Sequence, residues 1–168
     1  MKNHVTLDNI TTIQFDHGSV ENRNEWLIQA LPNLNHLILS TVDLPSPDSQ
    51  SADLLNKRIR RLDIDSTDSL LEQLTEISYD YFSNVEHIYF KVKHGLDNGF
   101  QNYADIVKKI LKNFKSLERL IIRSFSGTAT LRSIRDLTNI LEHSDMIEIK
   151  KKFQMKQFDG WVLFLKDG

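Results

Sequence analysis

The 168-residue chain contains no cysteine, only three prolines and six glycines, and no long apolar run. The absence of cysteine excludes disulfide scaffolds, thiolate zinc sites and cysteine nucleophiles. The common glycine-dependent phosphate and nucleophile motifs are absent as well. No stretch approaches the roughly 20 apolar residues of a membrane span, and the first residues lack the apolar core of a signal peptide. We therefore expect a cytoplasmic or nuclear protein.

The chain also lacks a large excess of charge of either sign. The chain has 21 Lys and Arg against 23 Asp and Glu, which gives a net charge of -2. No global basic field attracts polyanions, so we expect neither nucleic acid nor a membrane as a partner. Apolar residues make up 40% of the chain and charged residues 26%, which is typical of globular proteins. The length predicts a single domain over residues 1–168.

One pattern, apolar-x-x-apolar-x-apolar, is abundant. It occurs five times at nearly constant spacing, beginning near residues 10, 34, 59, 85 and 117. Its last four positions alternate between apolar and other residues, which favours a strand with one buried side. The five hexads are Ile10–Phe15, Leu34–Leu39, Ile59–Ile64, Val85–Phe90 and Leu117–Ile122.

Helical periodicity fills the segments between the hexads. Apolar residues at helical spacing predict helices over 70–81, 103–114 and 128–143, and a shorter helix over 25–31. The proline-containing segment 40–51 predicts a loop, followed by at most two helical turns. Strand–helix–strand order implies parallel strands with right-handed crossovers. Because these strands alternate rather than being apolar throughout, we expect the helices to cover only one face of the sheet.

The hexads and the period in the twenties resemble leucine-rich-repeat proteins. More narrowly, lead-ins such as Leu31-Pro32-Asn33 resemble the repeat region of F-box and F-box-like proteins, over about residues 8 to 145. The resemblance implies a short leucine-rich-repeat-like α/β solenoid with helices on one face. It further implies a protein-interaction module, specifically the substrate-recognition part of an F-box-type ubiquitin-ligase adaptor. Such a module is not an enzyme and uses no cofactor.

The tail, residues 147–168, predicts a cap on the solenoid. Apolar residues alternate on either side of Asp159-Gly160, a dipeptide that favours tight β-hairpins. We expect residues 151–166 to form an antiparallel hairpin that covers the end of the core, with Trp161 buried. No similar cap is visible at the N-terminus, so we also expect the chain to be part of a longer product.

The residues between the apolar positions of the hexads point away from the core, to what we call the open face of the sheet. We expect this face to bind a protein partner, because exposing Ile and Tyr side chains to water is unfavourable unless a partner covers them. Tyr89 is the expected central anchor. The predicted binding set comprises His36, Ile38, Arg61, Asp63, Asp65, His87, Tyr89, Lys91, Arg119, Ile121 and Arg123.

Two alternatives stay open at this point. One is a free-standing leucine-rich-repeat scaffold with no ubiquitin link. The other is a small α/β enzyme in which Asp63 and Asp65 act as an acid/base pair or hold a hard cation. His36 and His87 are not expected to share a metal, because Arg61 occupies the repeat between them. No small-molecule substrate is expected.

Overall fold

In a computed structural model, a seven-stranded sheet organises the part of the chain that the structure describes. The structure describes residues 7–15, 21–40, 44–46, 48–66, 82–92, 100–124, 147–158 and 161–167, together with four positions between 135 and 141. The fold is α/β, and most strand pairs are parallel. The strands are β1 (Thr12–Phe15), β2 (His36–Leu39), β3 (Arg61–Ser66), β4 (His87–Val92), β5 (Arg119–Ser124), β6 (Phe153–Phe158) and β7 (Trp161–Lys166).

The sheet follows chain order along most of its width. Strands β1 to β5 are neighbours in sequence order, and each consecutive pair is parallel. Strand β7 then pairs antiparallel with β5, and β6 pairs antiparallel with β7 at the edge. Each of the five hexads therefore supplies one strand, as the sequence predicted.

The apolar positions of the hexads stack across the sheet. One row begins with Leu37, which is in register with Leu62. The row then continues through β4 and β5 to Phe164 of β7. A second row, formed by Leu39, Ile64, Phe90, Ile122 and Val162, runs parallel to it. Both rows are buried and belong to one hydrophobic cluster. The stacked core residues of the first row are Leu37, Leu62, Ile88, Leu120 and Phe164, with exposures of 1% or less.

Four helices are described: α1 (Glu21–Ala30), α2 (Gln50–Arg58), α3 (Phe100–Asn113) and α4 (Ile147–Lys150). Helix α2 begins where the Ser49 side chain accepts a hydrogen bond from the Ala52 amide, and it is longer than the two turns expected. Helix α3 agrees with the helix expected near 103–114. The expected helix over 70–81 lies outside the described residues, and so does most of the one over 128–143.

A backbone hydrogen-bond pattern that repeats from strand to strand joins the starts of the strands. The carbonyl of Asn35 accepts hydrogen bonds from the amides of Arg60 and Arg61, at 2.8 and 3.1 Å. The carbonyls of Arg60 and Glu86 each accept two amides from the next strand in the same way. These hydrogen bonds align the strands at one end, so each hexad enters the sheet in the same register.

The lead-ins before the hexads form short turns that deliver the chain to this end of the sheet. The Leu34 amide donates to the Leu31 carbonyl at 3.3 Å, and Val85 and Leu117 make the equivalent bond to the phenylalanine three residues earlier. These phenylalanines, Phe82 and Phe114, are buried. Their burial explains why an apolar residue recurs at the start of each lead-in.

The hairpin forms as expected, but the side chains of its second strand, β7, lie on the opposite faces from those predicted. Val162 and Phe164 are buried in the core, whereas Trp161 is partly exposed. The expectation of a buried Trp161 is therefore wrong. Antiparallel pairing with β5 places Phe164 beside Leu120, and the period of two then directs Trp161 to the open face. Phe153 of β6 points into the core.

Among the described residues, none of the helices combines the length and the apolar composition that crossing a membrane requires.

The buried and open sides of β2 differ at adjacent positions, which gives a matched test of the core. Leu37→Ala should lower the free energy of unfolding by roughly 2–5 kcal/mol, because it leaves a cavity in the buried row. Ile38→Ala removes a partly exposed side chain and should cost about 1 kcal/mol or less. Urea denaturation of both variants checks this, and equal losses would contradict the assignment of faces.

The orientation of β7 has its own test. Phe164→Ala should cost roughly 3–5 kcal/mol of unfolding free energy, because the ring is enclosed in the core. Leu163→Ala should cost about 1 kcal/mol or less, because that side chain is partly exposed. Thermal and urea unfolding measure both. A larger loss for Leu163→Ala than for Phe164→Ala would show that β7 is turned the other way.

Candidate functional site

The structure places the whole predicted binding set on the open face. Every member is at least partly exposed, and the strand register arranges the set in three rows. Tyr89 is partly exposed between Asp63 and Ile121, as its position in the hexad predicts. The role of these residues in binding stays a prediction. The rows are His36–Arg61–His87–Arg119, then Ile38–Asp63–Tyr89–Ile121, then Asp65–Lys91–Arg123.

A polar network crosses the first three strands. Arg61 donates two hydrogen bonds to Asp63, from Nε to Oδ1 at 2.8 Å and from Nη2 to Oδ2 at 2.9 Å. This contact, chiefly its hydrogen bond, raises the pKa of Arg61 above its ordinary value. The His36 ring lies against the same carboxylate, with Nε2 3.2 Å from Oδ2 but poorly aligned for a hydrogen bond. On its other side, Nδ1 is 3.2 Å from the Thr12 hydroxyl.

The order hydroxyl, imidazole, carboxylate is that of an acid–base relay. Here, however, Arg61 engages both oxygens of Asp63, so this carboxylate already has a strong partner. Asp65 has Lys91 at 4.0 Å. Asp63 and Asp65 thus each face a cation, and this arrangement does not favour the acid/base pair that the enzyme alternative requires. The network instead holds the side chains of this part of the open face in fixed positions.

A second cluster lies where β4 and β5 begin. Glu86, His87 and Glu118 each bring one potential ligand atom within 4.8 Å of the others. Nδ1 of His87 is buried and has no hydrogen-bond partner. These groups could hold a divalent cation, but the Arg60 Nε lies 3.5 Å from Glu86 Oε1 and competes for that carboxylate. The sequence did not single out this cluster, because Glu86 and Glu118 stand at the second positions of two different hexads, and only the strand register brings them together.

The sequence also missed the part of the open face that the hairpin supplies. Strands β7 and β6 extend the three rows beyond β5, with Leu165, Leu163 and Trp161 opposite Arg119, Ile121 and Arg123. All the added side chains are at least partly exposed. The Asp159-Gly160 dipeptide predicted the pairing of β6 with β7. The face that each β7 residue takes follows from its register with β5. The added residues are Trp161, Leu163, Leu165, Gln154, Lys156 and Phe158.

No protein-family model matches the chain, and no curated protein matches it. A solved structure with some likeness is that of a "putative rRNA-methylase" from Clostridium thermocellum. The two chains are 12% identical, with a TM-score of 0.39, over 80% of this chain and 87% of the other. A likeness at this level transfers neither a fold nor an activity to this chain.

The comparisons correct the expectation of an F-box-type ubiquitin-ligase adaptor. Nothing in them links the chain to leucine-rich-repeat or F-box proteins, since no family model and no curated protein matches it. The adaptor assignment, its scaffold alternative and the expectation that the chain is not an enzyme are accordingly withdrawn. The residue-level features of the open face do not depend on any of these assignments.

The Arg61–Asp63 contact predicts a small and salt-sensitive coupling. A double-mutant cycle with Arg61→Ala and Asp63→Ala should give a coupling energy of about 0.5–1 kcal/mol, because the Arg61 side chain is half exposed. The coupling should shrink in 1 M salt, where the screening length falls to about 3 Å. Urea unfolding of the four proteins at both salt concentrations measures it. A coupling above about 2 kcal/mol, or one indifferent to salt, would contradict a solvent-screened contact.

Proposed function

We propose that the open face binds a protein partner whose contacting surface is negatively charged. The observation that carries the proposal is the composition of this face. Its described side chains include five cations against two carboxylates, although the whole chain has a net charge of -2. The two carboxylates, Asp63 and Asp65, already lie against Arg61 and Lys91. Three further cations lie on the same face, Arg119 and Arg123 on β5 and Lys156 on β6.

Apolar exposure supports the same proposal. Tyr89, Ile121 and Leu163 are neighbours in one row across β4, β5 and β7, and all three are partly exposed. Contiguous apolar side chains with a polar rim are typical of interaction sites. Tyr89 combines a large apolar ring with a polar hydroxyl, as interface anchors commonly do. A partner that covers this row gains apolar burial as well as charge complementarity.

The proposal includes a one-sided solenoid, in which the helices cover the face opposite to the binding surface. In support, the buried side chains of α1, α2 and α3 join the same hydrophobic cluster as the buried rows of the sheet. Arg58 of α2 also donates to the carbonyls of Ile28 and Leu31, at 3.1 and 2.9 Å, and so ties α2 to the end of α1. Such an arrangement leaves the open face to the partner.

Selection of random peptides displayed on phage, with the full chain as the target, tests the proposal. Enriched peptides should bind the chain in a fluorescence-anisotropy titration and should lose at least about thirtyfold in affinity with Tyr89→Ala or with Trp161→Ala. Trp26→Ala is the matched control, because Trp26 is 60% exposed on α1, away from the sheet strands. Unfolding curves confirm that each variant is folded. A selection that enriches nothing, or peptides that neither open-face variant weakens, would contradict the proposal.

A further inference from the structure

The part of the open face formed by β5, β7 and β6 differs from the rest. Its nine side chains comprise five apolar residues, three cations and one amide, and none is a carboxylate. All nine are partly or fully exposed. The other strands do carry acids, at Asp63 and Asp65. The nine residues, which we call the basic–aromatic corner, are Arg119, Ile121, Arg123, Trp161, Leu163, Leu165, Gln154, Lys156 and Phe158.

Two aromatic rings mark the far end of this corner. Phe158 and Trp161 are stacked, with ring centroids 4.0 Å apart and planes 9° from parallel. Phe158 is 42% exposed, so the stack lies at the surface rather than in the core. Each ring restricts the rotation of the other, which lowers the entropy that a partner must remove on binding. Trp is also the residue type most often found as an interface anchor, together with Tyr and Arg.

The cations of the corner stand beside its apolar residues. Arg123 is in register with Trp161, and Lys156 is in register with Leu163. A bound segment that places an apolar side chain against the stack would therefore bring its neighbouring residues next to positive charge. The carboxylate of Glu118 lies at the other end of the corner, next to Arg119, whereas the aromatic stack lies beside Arg123, about 13 Å further along β5.

We propose that the basic–aromatic corner binds an acidic segment of the partner protein that carries a bulky apolar side chain, with Trp161 as its main anchor. The inference rests on the proposed function and adds the site and chemistry of recognition. A second copy of this chain fits less well, because two such corners would bring like charges together. Single-stranded nucleic acid and anionic lipid also carry negative charge, and the experiment below separates them from a protein segment.

The sequences and affinities of the selected peptides test this inference. Enriched peptides should combine Asp or Glu with Trp, Phe or Leu. Trp161→Ala should weaken them at least about thirtyfold, and more than Tyr89→Ala does. Arg123→Gln and Lys156→Gln should each weaken binding severalfold and reduce its dependence on salt. Trp26→Ala should change nothing. Replacing either the acids or the large apolar residues of an enriched peptide by Ala should also abolish most of its affinity.

Each failure has a distinct form. Peptides whose affinity depends on Tyr89 but is unaffected by Trp161→Ala, or peptides that are not acidic, would overturn the assignment of the binding site to the basic–aromatic corner. The proposed function would remain in place. A twelve-residue oligothymidylate, or vesicles containing phosphatidylserine, that bind in a Trp161-dependent manner while no peptide does would overturn both. Trp161→Ala should unfold at the same urea concentration as the native chain, so a loss of binding cannot be assigned to misfolding; if it does not, Phe158→Ala replaces it.

Discussion

The register of the hexads is the constraint on which the rest of the structure depends. Side chains on a strand alternate between two faces, so a slip of one residue would move a whole buried row into solvent. The five parallel strands share the same alternation of buried and open-face residues, which we call their phase. The carbonyls of Asn35, Arg60 and Glu86, which each accept two amides, fix this phase at the strand starts. Everything on the open face owes its position to this phase.

The same constraint explains why the C-terminal hairpin exposes so much apolar surface. Strand β7 has large apolar residues in both phases, so one set must face away from the core whichever phase is chosen. Phe164 and Val162 fill the core beside Leu120 and Ile122, and Trp161 and Leu163 take the open face as a consequence. The resulting exposed patch is adjacent to Arg119 and Arg123 of β5.

Sequence patterns predicted those features that local periodicity determines. The hexads gave the five parallel strands, their order and the exposed position of Tyr89, because apolar and other residues alternate clearly in them. The face of β7 could not be predicted in this way, since a run such as Trp161–Leu165 has no polar phase. The contacts of His36 with Thr12 and Asp63 depend on side-chain rotamers across three strands, which periodicity does not specify. Resemblance at the level of the hexads misdirected the functional assignment, because a repeat pattern describes packing rather than a site.

The central claim is that β7 presents two different faces, one to the core and one to a partner. Because the chain has no cysteine, single cysteine substitutions at positions 161 to 165 can be labelled selectively in the folded protein with a thiol reagent. Cysteines at 161, 163 and 165 should react rapidly and should be protected by a saturating enriched peptide. Those at 162 and 164 should react only at the rate of unfolding. Fast labelling at 162 and 164, or peptide binding that protects none of the other three, would contradict the account.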